Sequence, residues 1–139
     1  MKKFTLALLS GLMLLSVAPM SAEHDGHDED GRVFELRTYT TPEGKLPELL
    51  ARFRDNTNYI FVRHGMKLIG YWTPTDEGKE NTLVYILAHD SREAAEKSWA
   101  GFREDADWKK AAAESRKDGR LVTKVVSQFL SATDFSPIQ

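Results

Sequence analysis

The order in which the hydrophobic period changes along the chain constrains the fold more than any other feature. Residues 33 to 40, V-F-E-L-R-T-Y-T, alternate with the two-residue period of a strand. Gly44 to Arg63 then carries Leu46, Leu49, Leu50, Phe53 and Ile60 at helical spacing, with Pro47 in the first turn and His64-Gly65 as a stop. Met66 to Thr73 and Thr82 to Ala88 are β-rich runs joined by the polar turn P-T-D-E-G-K-E-N, which predicts a hairpin. Asp90-Ser91-Arg92-Glu93 opens a second helix that runs to about Asp118, with a break expected near Asp105 to Asp107 and a stop at Gly119. Leu121 to Leu130 is the last strand. The order is β-α-β-β-α-β, the split βαβ pattern of an α+β, ferredoxin-like fold: a four-stranded antiparallel sheet with both helices on one face. Trp72, Trp99 and Trp108 are expected in the core.

The start of the chain reads differently. M-K-K followed by an apolar run too short to span a bilayer comfortably predicts a secretory signal peptide over residues 1 to 22, cleaved after Ala22; an uncleaved anchor is the competing reading. On the first reading the protein is exported, periplasmic or secreted, with no stable membrane anchor once the signal is removed. Without Lys2 and Lys3 the chain has 17 basic against 21 acidic residues, which is no surface for nucleic acid. It has no cysteine, so disulfides and thiol catalysis are excluded. Residues 23 to 31, E-H-D-G-H-D-E-D-G, hold five acids and no apolar residue and read as a disordered acidic linker. His24 and His27 within it are a weak candidate metal site, against the plainer reading of a solvated spacer. The domain proper is expected over residues 32 to 139.

The motifs from residue 32 onward stand in the register of a known family. E-L-R-T-Y-T in the first strand, P-E-G-K before the first helix, H-G-M-K-L-I-G-Y-W-T after it, L-V-Y-I-L-A-H-D-S, D-W-K-K and the late D-F-S-P together resemble NIPSNAP-domain proteins. The resemblance implies a ferredoxin-like domain of the dimeric α/β-barrel type, a homodimer in which two sheets face each other. Roles suggested for such proteins lie in protein interaction and trafficking rather than in an established reaction.

What the Glu35, Arg37 and Tyr39 stripe of the first strand faces is then the functional question. Alternation alone does not decide between the two faces of the sheet. With the resemblance, the stripe is expected on the face away from the helices, lining a cavity enclosed by the dimer; Tyr85 and His89 are further ligand-binding candidates. The competing reading makes Glu35 and Arg37 a structural ion pair, within the chain or across the dimer axis, and Tyr39 an interface aromatic. His64 reads as a helix-end residue complementing the dipole rather than a base. Walker A, G-x-G-x-x-G, H-E-x-x-H and nucleophile-elbow motifs are missing, so no cofactor is expected. The leading expectation is a dimeric barrel that binds a small organic ligand or a protein partner without turnover. Its rivals are a cofactor-independent monooxygenase or isomerase using Arg37, Tyr85 or His89 to stabilise an enolate, and an extracytoplasmic metal-binding protein acting through His24 and His27.

Overall fold

The computed structural model describes residues 31–139. The expected signal segment and nearly all of the linker, His24 and His27 included, lie outside the described residues. Among the described residues no helix is long and apolar enough to cross a membrane, and no group of three or more His, Asp or Glu side chains is placed to hold a metal ion.

Strands β1 (Val33–Thr40), β2 (Lys67–Trp72), β3 (Thr82–His89) and β4 (Lys124–Leu130) form one antiparallel sheet in the order β2-β3-β1-β4. This is the α+β architecture that the alternating periods predict. The first helical segment comprises α1 (Leu46–Arg52), a π-helical turn (Phe53–Thr57) and α2 (Asn58–Arg63). Its π-turn was not predicted: D-N-T-N offers no apolar residue to hold the helical period, and Thr57 is buried with its hydroxyl donating to the Arg52 carbonyl, five residues back. The end is as expected. Gly65 takes φ 81°, its N–H bonds the Val62 carbonyl and that of Met66 bonds the Phe61 carbonyl, a Schellman closure that requires a residue tolerant of positive φ.

The second helical segment breaks where its sequence turns acidic, into α3 (Arg92–Glu104) and α4 (Ala106–Glu114). Ser91 caps α3 by accepting from the Ala94 N–H, and Asp105 caps α4 by accepting from Asp107 and Trp108. His64, the C-cap of α2, reaches the same Asp105 at 2.8 Å, and Arg63, the last residue of the helix, joins it at 2.7 Å. One carboxylate therefore ties the end of α2 to the α3–α4 break. Its pKa is held well below the usual carboxylate range, first by His64, then by Arg63 and the two capped N–H groups against some burial.

The core lies between helices and sheet, where Leu49, Phe53, Ile60, Phe61 and Phe102 pack on Leu83, Tyr85 and Leu87 of β3. That packing decides the faces of β1. Glu35 lies opposite Leu87, Arg37 opposite Tyr85 and Tyr39 opposite Leu83, so the polar stripe shares the helix-covered face with the core of β3. The expectation that the stripe lies on the face away from the helices is therefore overturned by register. The outer face carries Leu36 beside Ile86 and Thr38 beside Val84 instead. Trp72 sits at the end of β2 on that outer face, opposite Val84, and is 52% exposed rather than core. Trp99 and Trp108 pack against the core as expected.

Candidate functional site

Because β1 is an inner strand, a side chain on its helix-covered face has neighbours from β3, β4 and the helix above. Glu35 uses all of them. Its Oε1 accepts from Arg37 Nη1 at 2.6 Å and from Ser127 Oγ of β4 at 2.6 Å. Its Oε2 accepts from Trp99 Nε1 of α3 at 2.6 Å and from His89 Nε2 at the end of β3 at 3.1 Å. A carboxylate has no proton to give, so the His89 proton in this contact is on Nε2. Glu35 is only 1% exposed, and a charge so placed survives only with this many donors. Burial alone pushes its pKa up; the hydrogen bonds from His89, Ser127, Trp99 and Arg37 outweigh it and lower the value from 4.5 to about 2. Glu35 is thus a fixed anion, and its oxygens are already occupied.

The consequence is a fixed cation. Arg37 is gripped by Glu35, lies 4.2 Å over the Trp99 ring and reaches the Tyr39 hydroxyl at 3.3 Å. These contacts use two of its five N–H groups; Nε is buried without a partner among the described residues. Arg37 and Tyr39 form one wall of a cavity of about 420 Å³ between β1, β4 and the α3–α4 pair, with Arg92, Glu96, Trp99, Phe102, Arg103 and Trp108 over it and Phe129 at its side. Arg92 rests 3.5 Å above the Phe129 ring. A larger cavity of about 560 Å³ lies at the other edge, beneath the π-turn and against β2. It is lined mainly by apolar side chains and holds none of the five expected residues, so the smaller one is the candidate site.

All five residues singled out from the sequence meet on one face of β1 and β3, in different capacities. Glu35, Arg37 and Tyr39 line the cavity. Tyr85 is fully buried behind them in an aromatic cluster, 5.3 Å from Tyr39 and 5.2 Å from Phe53, and burial first of all raises its phenol well above the ordinary value. His89 is buried against Glu35 and does not line the cavity. Trp99 was expected only as core, yet it donates to the buried carboxylate and carries the guanidinium. Arg92, Glu96, Trp99 and Arg103 were not recognised as a set, although their spacing of four, three and four residues places them on one helix face. Ser127 gave no local signal, since only the β1–β4 register brings it beside Arg37.

Comparison with known proteins agrees with this fold. A NIPSNAP family protein of unknown function from Agrobacterium tumefaciens superposes with a TM-score of 0.70 at 25% identity, covering 81% of this chain and 98% of that one. A NIPSNAP-like domain protein from Burkholderia xenovorans gives 0.68 at 21% identity over 78% and 90% of the two chains. SnoaB, a cofactor-independent oxygenase from Streptomyces nogalater, shares the fold at a TM-score of 0.53 and 16% identity, covering 77% and 98%. Protein NipSnap homolog 3A of Homo sapiens and of Pongo abelii are each 28% identical over 79 residues, which is 57% of this chain and 31% of each relative. The matched stretch thus spans about a third of the length of those relatives. The NIPSNAP family model itself matches residues 34–137, nearly all of the described region, and the chain belongs to the NIPSNAP family.

Proposed function

We propose that this protein binds a small organic ligand in the cavity walled by Arg37, Tyr39 and Trp99, as an exported homodimer. The observation that carries the ligand site is the fixed guanidinium. Three other contacts, from His89, Trp99 and Ser127, hold Glu35 in place, Glu35 and Trp99 hold Arg37, and N–H groups of Arg37 are left without an acceptor among the described residues, beside an open cavity. A purely structural ion pair requires neither the cavity nor the spare donors. Thermal shift with a panel of small acids, alcohols and amines tests it. At least one class raises the melting temperature, and the gain disappears in Glu35→Leu/Arg37→Leu. A gain that survives in the double variant places binding elsewhere.

The dimer rests on the outer sheet face. Trp72, Val84, Ile86 and Leu36 lie across adjacent strands there with Val126, 40% exposed, and Leu130, 42% exposed. Such a contiguous apolar surface is covered in stable proteins, and a second copy covers it through an isologous two-fold interface. Light scattering at micromolar concentration is expected to give twice the chain mass; a stable monomer refutes the interface. In this arrangement Arg37 lies inside each protomer, paired with Glu35 of the same chain, and not in a space between the two. Export rests on the M-K-K start and the apolar run after it.

An enzyme of the oxygenase or isomerase kind is the alternative, favoured by the shared fold with SnoaB. Of the three residues considered for enolate stabilisation, Arg37 alone lines the cavity. Turnover would then depend on Arg37 rather than on Tyr85 or His89.

A further inference from the structure

Resting on the reading that this cavity is a ligand site, we propose that its ligand is a flat aromatic monoanion, an arene carboxylate by class. Charge is the first ground. Three guanidinium groups, those of Arg37, Arg92 and Arg103, line the cavity against two carboxylates, Glu35 and Glu96. Glu35 and Arg37 cancel in their 2.6 Å ion pair. Above them α3 presents Arg92, Glu96 and Arg103 on one face. Neither of these two arginines lies within ion-pair distance of a carboxylate among the described residues.

The cavity therefore carries one positive charge in excess. A monoanion is drawn to that excess as it enters, a neutral ligand gains nothing from it, and a cationic ligand is repelled. Arginine is also the side chain whose planar fork matches a carboxylate, and Arg37 is already immobilised on Trp99, so little freedom is lost on binding. Shape is the second ground. Tyr39, Trp99, Trp108 and Phe129 bring aromatic rings to the walls, and such surfaces favour flat ring systems stacked face or edge on. A volume of about 420 Å³ lies in the lower part of the range for small-molecule sites.

Isothermal titration of the full-length protein at low salt with 2-naphthoate, 2-naphthol and 2-naphthylmethylammonium tests the class, since the three share a ring and differ in charge. Naphthoate is expected to bind at least ~10-fold tighter than naphthol, with the ammonium weakest, and its advantage is expected to shrink as salt rises. Arg92 and Arg103 are exposed on α3, so Arg92→Gln/Arg103→Gln removes the excess charge without touching the core; it is expected to cut the advantage of naphthoate over naphthol at least ~3-fold, with an unchanged thermal melt showing that the fold is kept. Naphthol binding as tightly as naphthoate overturns the anionic class while the cavity stands as a ligand site. A naphthoate preference that survives the double substitution undiminished overturns the assignment to these arginines. No binding by any of the three to folded protein overturns the flat aromatic class, while the ligand reading beneath it stands or falls on the thermal-shift panel.

Discussion

Glu35→Leu is expected to destabilise the fold by about 3–5 kcal/mol, the cost of leaving a buried charge without its partner. The substitution removes the acceptor of four donors at once and leaves Arg37, whose side chain is only 15% exposed, with no counter-charge. For a domain of this size that corresponds to a fall in melting temperature of very roughly 15–30 °C. Adding Arg37→Leu is expected to recover part of the loss, because replacing a whole buried pair by apolar side chains is often near neutral, although the Trp99, Ser127 and His89 donors stay unpaired. Urea unfolding of the wild type and both variants measures this. A single variant that loses less than about 1 kcal/mol, or a double variant no better than the single, contradicts a Glu35–Arg37 pair at the heart of the site.

Acid is expected to act through the same carboxylate. Glu35 has a folded pKa of about 2 against an ordinary 4.5, so the unfolded chain takes up a proton first as pH falls. Its contribution is fully present above about pH 4.5 and is lost as pH drops through about 2, on the order of 3 kcal/mol in all. Asp105 is depressed as well and titrates in the same acid range, so the informative quantity is the difference between the wild type and Glu35→Leu/Arg37→Leu. Denaturant melts between pH 7 and pH 2 are expected to fall more steeply for the wild type. Parallel curves would mean that Glu35 is not held as an anion by its neighbours.

Much of the fold was legible because periodicity is a local property. The turn at Gly65, the break at Asp105 and the cap at Ser91 each follow from a few adjacent residues. The face of β1 was not, because alternation separates two faces without saying which is covered. A polar stripe invites assignment to the open side; here its burial is met by partners distant in sequence, Trp99 at 64 residues and Ser127 at 92 from Glu35. The same limit hid Trp72, whose apolarity suggested core while its strand position put it on the outer face. The candidate residues could be named from chemistry, since Glu, Arg and Tyr on one strand face are costly to bury without purpose. Their division into cavity wall and supporting layer, with Tyr85 and His89 behind, required the packing of helices on the sheet.

Native mass spectrometry of the protein isolated from its own host tests the central claim, that a Glu35-fixed Arg37 holds a ligand in the cavity beneath α3. The account predicts a small-molecule adduct on the wild type that is missing from Glu35→Leu/Arg37→Leu prepared in the same way. A bare wild-type chain, or an adduct retained undiminished by the double variant, would contradict it.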